Sequence, residues 1–404
     1  MTGRGAPVLI IGGGIAGLTL ALLLHARGVP VKVFERCADP QEVGAGLLVA
    51  ANALKVYRRV GVERDLVAAG ALIRRGALRL PGGFTLSEVD VEQLGADVGA
   101  CSLGMHRGVF HRVLLDAVPR ELLVLGEEFV RYEQGNGRIT AHFASGRTAT
   151  GRLLVGADGI HSLVRKQIDD VSWVPPRDAG ESCWRGLAPA DCVDADHPIH
   201  HSFTESWGDS VRVGLIPLGN GLLSWHVYFR PWTELDPGEG AGPRSPERQD
   251  ELRARFLEVL QGWHDPIPTI VAAGDFDTLL RTENRDRPPA TTWSEGLAVL
   301  LGDSLHPITP NIGQGAALAI EGAAVLADAI ARREPDAAIH QYRQRRAGRV
   351  RFVSQLSHGV GNWASTGSRV MRGLRNVGTW ATPQWLAVAS SKAIYGYDAL
   401  PRGG

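Results

Sequence analysis

The feature that most constrains this chain is Gly12-Gly-Gly14-Ile-Ala-Gly17, which directly follows the apolar run Val8-Leu-Ile-Ile11. The apolar run reads as a strand buried on both faces. Ile15 to Arg27 has helical spacing, and Val31-Lys-Val-Phe34 is a second strand. Together they predict a βαβ unit in which Glu35 ends the second strand, the layout of a dinucleotide fingerprint. Gly12 permits the tight turn, Gly14 lets a pyrophosphate lie on the helix N-terminus, and Gly17 allows close helix-to-strand packing. The Glu35 carboxylate suits a ribose, and Ala16 and Arg36 join the same candidate set. The glycines also make the uncharged stretch Val8 to Leu24 a strand and a helix rather than a targeting segment or membrane span.

Two further glycine-rich turns follow buried strands. Arg152-Leu-Leu-Val155 leads into Gly156-Ala-Asp158-Gly159-Ile-His161-Ser162, and Leu297-Ala-Val-Leu-Leu301 leads into Gly302-Asp303-Ser-Leu-His306. The second turn continues through Pro310-Asn-Ile-Gly313-Gln-Gly315 to a helix from Ala316 to Arg332. The N–H groups of a helix start flanked by Gly313 and Gly315 suit a phosphate or an electron-rich ring edge. Asp303 can accept hydrogen bonds from a polyhydroxylated chain.

Between these turns the pattern changes. Residues 76–100 leave the dinucleotide pattern, and Leu122 to Tyr132, Arg138 to Phe143 and Arg147 to Thr150 read as a β-meander. Ser182–Leu187, Ile199–Glu205, Val211–Pro217 and Leu222–Arg230 read as a separate antiparallel sheet, covered by a helix from Pro246 to Trp263. Asp236 to Ser245, rich in Gly and Pro, reads as a flexible loop. Beyond Pro335 the chain is predicted helical and Arg-rich, then aromatic and irregular; Arg343 to Arg351 reads as a solvated helix face.

Lys+Arg and Asp+Glu both number 43, so no overall field favours nucleic acid. The spacing of the four cysteines offers neither a metal knuckle nor a redox dithiol, which points to no metal and a reducing, cytoplasmic setting.

In content and order, the three glycine sites resemble the FAD-dependent aromatic hydroxylases, the group of para-hydroxybenzoate, salicylate and urate hydroxylases. The resemblance implies an α/β fold: a Rossmann-like FAD-binding domain, an inserted antiparallel-sheet substrate domain and a helical C-terminal segment. The expected division gives FAD binding to 1–75, 101–175 and 276–340, the substrate to 76–100 and 176–275, and the helical segment to 341–404. It further implies that the first motif and Glu35 hold the ADP half of FAD, that Asp303 binds the ribityl chain, and that Pro310 to Ala317, with Gly313, Gly315 and Ala316, lies beside the isoalloxazine ring. Asp158-Gly159 is expected to handle both FAD and NAD(P)H, and Arg107 to contact FAD. Where relatives often carry Asn and an acidic pair, this chain has Ala317 and Glu321-Gly322.

The implied reaction consumes NADH or NADPH as a transient reductant, and O2, to hydroxylate an aromatic or heteroaromatic small molecule through a flavin C4a-hydroperoxide. Alternatives are an FAD-dependent epoxidase, a flavin oxidoreductase that inserts no oxygen, and a flavin-binding protein that sequesters a small molecule. A monomer or homodimer is expected. His161 and His306 read as structural, and Arg185 either packs near the flavin or pairs at the surface.

Strand alternation supplies the pocket. Leu223, Trp225, Val227 and Phe229 form one apolar face, expected against the Pro246 helix, so Ser224, His226 and Tyr228 turn towards the cleft. Arg212 on the neighbouring strand shares that cleft, where urate hydroxylases, by the resemblance, place a substrate-binding arginine. Arg212 is expected to orient the substrate while His226 or Tyr228 hydrogen-bonds its activating oxygen or nitrogen.

Overall fold

A computed structural model describes residues 5–40, 44–169, 173–230, 244–366 and 368–400. Most of the expected flexible loop, residues 236–243, lies outside the described residues.

Val8–Ile11 is the centre of a six-stranded sheet because it is apolar on both faces. Leu153–Gly156 and Val31–Glu35 pair with it in parallel, Val8 standing opposite both Leu153 and Val31. Ala298–Leu300 and Leu123–Leu125 extend the sheet in parallel, and short Ser294–Glu295 closes one edge antiparallel. The helices Ile15–His25 and Gly315–Arg332 pack together, their apolar residues joining those of the strands in one core. Leu123–Leu125 thus belongs to the parallel sheet rather than the meander. Gly126, at φ +76°, ends it before the meander strand Phe129–Gly135 begins.

A seven-stranded sheet runs in the order Leu280–Asp286, Arg177–Pro189, Leu222–Phe229, Val211–Gly219, Ser202–Trp207, Arg75–Arg79, Thr85–Asp90. The strands at 75–90 therefore lie beside those at 202–219. One face buries Leu223, Trp225, Val227 and Phe229 with Leu252, Phe256 and Leu260 of the helix beginning at Pro246, as alternation predicted. Trp225 meets Phe256 with ring centroids 5.5 Å apart. The other face turns towards the parallel-sheet body, where Gly46 N–H donates to Ser224 Oγ at 3.1 Å.

The C-terminal region is more regular than the sequence suggested. Pro335–Ala364 forms one helix along Gly315–Arg332, and Arg369–Trp380 and Gln384–Tyr395 are helices where an irregular tail was expected. Nor is Arg343 to Arg351 simply a solvated face. Arg346 and Arg349 are buried and grip the buried Glu321 carboxylate at 2.8 and 3.0 Å, and Arg349 also donates to the Ala393 and Ile394 carbonyls. A buried charge needs a partner, and Glu321 supplies it.

Candidate active site

The three glycine turns converge at the carboxyl ends of the parallel strands, where open α/β sheets bind their ligands. Gly12 adopts φ +108°, and a Cβ there would sit 2.4 Å from the Ala157 carbonyl oxygen. A Cβ on Gly17 would lie 2.0 Å from the Gly12 oxygen, so helix and turn touch backbone to backbone. Gly14, the N-cap of the first helix, is different: a Cβ there meets no protein atom. Its N-terminal N–H groups are thus reachable by a phosphate. Glu35 already takes Gly13 N–H at 2.7 Å and Cys37 N–H at 2.9 Å. Each of its oxygens keeps a lone pair for a ribose hydroxyl. Arg36 is exposed at the strand end.

Asp303 lies beside this helix start: a Cβ on the preceding Gly302 would be 2.9 Å from that of Ala16. Desolvation raises the Asp303 pKa while the Arg107 charge opposes the rise, so carboxylate and guanidinium address one crevice. A carboxylate, a cation and a bare helix N-terminus around one crevice fit the hydroxyls and pyrophosphate of FAD. Pro310 opens the short turn before Gly313, which adopts φ +61°, and Gly315 and Ala316 begin the following helix.

Asp158 has a local structural task. Its carboxylate accepts the Ser162 hydroxyl at 2.6 Å and the Leu163 and Val164 N–H groups at 2.8 and 3.2 Å. It thereby caps its own helix and shapes the turn that lies against Gly12. His161 is exposed in a surface cleft with Arg185, Arg281 and Arg285, rather than tied into the structure. His306 is buried, and neither ring nitrogen has a hydrogen-bond partner among the described residues.

Across from the Pro310–Gly313 turn, Arg185, His226, Tyr228 and Arg212 share one face of the large sheet, since Arg185 stands opposite His226 and Tyr228 opposite Arg212. The His226 and Tyr228 rings meet edge to face at 5.2 Å, and the Arg212 guanidinium lies 4.4 Å from the Tyr228 ring centre. Gly214 makes room for this arrangement: a Cβ there would be 1.9 Å from His226 Nε2. The His226 ring keeps a partly accessible edge but is pushed down to about 3, by desolvation first and then by the Arg185 and Arg212 charges. It is a neutral ring at physiological pH. Desolvation likewise raises the Tyr228 pKa, so the phenol stays protonated.

Arg212 has its terminal nitrogens committed. Nη1 donates to Glu205 at 2.9 Å, and Nη2 to Glu181 at 3.1 Å and to Asn311 Oδ1 at 2.9 Å. Burial alone would lower its pKa, but the Glu205 and Glu181 charges outweigh that and raise it. This geometry makes a direct grip on substrate secondary to holding the cleft together. Glu181, Glu205, Asn311 and Gly214 were not singled out in the sequence, because which of them oppose Arg212 and His226 depends on strand register. Asn311 alone carried a sequence signal, as the polar residue of the Pro310–Gly313 turn.

The FAD binding domain family model matches residues 5–357. Aurachin C monooxygenase/isomerase of Stigmatella aurantiaca is 38% identical over 359 residues, covering 88% of this chain and 89% of that protein. The FAD-dependent urate hydroxylase of Klebsiella pneumoniae is 32% identical over 347 residues, covering 85% and 86%. Among solved structures, Klebsiella pneumoniae HpxO complexed with FAD and uric acid superposes with a TM-score of 0.86 at 26% identity, covering 97% of each chain. A salicylate hydroxylase substrate complex, at 22% identity and a TM-score of 0.77 over 98% and 96%, shares the fold. With the three turns assembled at one crevice and these relatives spanning nearly its whole length, the chain belongs to the FAD-dependent monooxygenases of the aromatic-hydroxylase family.

Proposed function

We propose that this enzyme inserts one oxygen atom into an electron-rich aromatic or heteroaromatic small molecule, held between the Arg185–His226–Tyr228 face and FAD. The observation that carries this reading is a neutral His226 and a protonated Tyr228, side by side and opposite the turn that leads into the Gly315 helix. Bound FAD, once reduced, supplies oxygen activation. Gly12, Gly14, Ala16, Gly17, Glu35, Arg36, Arg107 and Asp303 would hold it, with Pro310, Gly313, Gly315 and Ala316 at its ring end. Asp158 serves by shaping the adjoining turn.

The protein's own part is to bind, orient and exclude water. His226 can donate from one ring nitrogen and accept at the other, and Tyr228 O–H can donate or accept, so the pair can hold a substrate hydroxyl or ring N–H. Keeping that group's electron density on the ring favours attack on oxygen. Arg212 stacks under Tyr228 and reaches Asn311, setting the distance between substrate face and flavin turn. NADH or NADPH would approach through the cleft of His161, Arg185, Arg281 and Arg285, where three guanidinium groups outnumber the one carboxylate, Glu283, that pairs with Arg281 and Arg285, and so suit a pyrophosphate.

The test is a screen of aromatic compounds for stimulated NADH or NADPH oxidation, with mass analysis for one added oxygen. Product connectivity separates hydroxylation from epoxidation. A yellow protein whose NAD(P)H oxidation no compound stimulates would favour sequestration instead.

A further inference from the structure

The helix Arg369–Trp380 is turned inside out relative to an ordinary surface helix, whose apolar stripe faces the core. Arg375 is 1% exposed, donates to the Ala364 carbonyl and lies 5.3 Å from the Trp207 ring centre, while Arg372 pairs with Asp209. Its apolar residues point outward. Val370, Met371, Leu374, Val377 and Trp380, spaced three and four apart, are 41–73% exposed. After a short turn, Trp385 and Leu386 at the start of the next helix are 71% and 43% exposed. Clustered exposed apolar residues of this kind mark a docking surface.

We propose that this helical pair lies on an anionic lipid surface, as a peripheral anchor. Charge identifies the occupant. From Ala337 to Tyr397 the chain contains nine Lys or Arg and no Asp or Glu, although the whole chain is neutral. Of these nine, Arg345, Arg346, Arg349, Arg372 and Lys392 pair with carboxylates elsewhere in the fold, whereas Arg343, Arg351 and Arg369 are exposed. Arg369 begins the outward-facing helix itself. A helical pair that exposes tryptophans, begins at an exposed arginine and contains no carboxylate of its own has the chemistry of interfacial helices. The neighbouring carboxylates Glu88 and Asp209 are contributed by the sheet and engaged with Arg75 and Arg372. A second copy fits less well, because a two-fold interface would set the same basic patch against itself. No helix among the described residues is long and apolar enough to cross a membrane, so these helices would lie in the interface plane. Both pack on Thr85–Asp90, the edge strand of the sheet whose face carries His226, so the anchor would bring a lipid surface beside the substrate sheet.

The test is co-sedimentation of the full-length, FAD-loaded chain with vesicles of phosphatidylcholine, alone or mixed with phosphatidylglycerol. Binding to the mixed vesicles, weakened by salt, is expected. The double substitution Leu374→Ser and Val377→Ser should weaken it about tenfold or more, with FAD content and thermal unfolding unchanged. Arg369→Glu should weaken it too. Absence of vesicle binding by the unaltered chain, or equal binding by the double variant, would overturn the proposal. So would light scattering that shows a dimer dissociated by the same double substitution.

Discussion

Arg212 Nη2 donates to Asn311 Oδ1 at 2.9 Å, a direct bond between the large sheet and the turn ahead of the Gly315 helix. Asn311 is itself tied down, donating to Thr309 Oγ1 at 2.9 Å and to the Ser357 carbonyl at 3.2 Å. Position on the sheet is therefore transmitted to the Pro310–Gly313 turn through one guanidinium. Asn311→Ala removes the bond and leaves Arg212 paired with Glu181 and Glu205. We expect normal FAD content but less product per NAD(P)H consumed, the balance appearing as hydrogen peroxide. Arg212→Ala should be harsher, costing about 3–5 kcal/mol because buried Glu205 loses its ion-pair partner and buried Glu181 keeps only the more distant one, Arg230 at 4.0 Å. Unaltered coupling in Asn311→Ala would show that the bond positions nothing.

His226 is expected to act as a neutral hydrogen-bonding group. Its pKa of about 3 means that it does not titrate from about pH 5 to 8, so any ionisation in the kcat/KM profile over that range belongs to the substrate or another group. His226→Gln should keep the shape of the profile, and His226→Ala should lower coupling without changing FAD content. Gly214→Ala provides an independent variant, since its Cβ would displace the ring from 1.9 Å away while leaving His226 in place. Full coupling in both His226→Ala and Gly214→Ala would remove His226 from the site.

The glycines of the first turn separate fold from cofactor. A Cβ at Gly14 meets no protein atom, so Gly14→Val should leave the apoprotein's thermal unfolding nearly unchanged while blocking the pyrophosphate. Gly17→Ala should instead destabilise the chain itself, because its Cβ would overlap the Gly12 carbonyl oxygen. Asp303→Ala should weaken FAD retention by about 1–3 kcal/mol. In the unaltered protein denaturation should release all flavin. Normal flavin content in both Gly14→Val and Asp303→Ala would mean that the cofactor has been misplaced.

The βαβ unit was legible because its glycines and apolar strands are local, and a period of two was enough to assign both faces of Leu222–Phe229. What the sequence hid was register and long-range pairing. Arg212 is recognisable as a cleft residue from alternation, but Glu181 and Glu205 lie 31 and 7 residues away and reach it only once strands align. Arg346 and Arg349 look like solvent-facing charges until the Pro335 helix is laid on Glu321, 25 and 28 residues earlier. The outward apolar face of Arg369–Trp380 was hidden because the region read as irregular, and because even a helical period does not say which side is covered.

The last prediction concerns acid. His226 and His306 are both pushed down to about 3, each by desolvation first, so in the folded chain both stay neutral well below pH 6.5. In the unfolded chain each takes a proton near 6.5. As pH falls from about 6.5 towards 3 the unfolded state binds protons that the folded state refuses, and stability drops by up to about 1.4 kcal/mol per pH unit for each ring. Asp158 and Asp303, whose pKa values desolvation raises, act in the opposite direction, so the histidine contribution is read by comparing a histidine variant with the parent. Denaturant unfolding at pH 7 and pH 5.5 of parent and variant makes that comparison. His306→Leu tests the assignment, because neither ring nitrogen has a hydrogen-bond partner to lose. The variant should be no less stable than the parent at pH 7, and should show a shallower loss between pH 7 and 5.5. A leucine variant with the parent's slope would mean that the buried His306 ring accepts its proton in the folded chain.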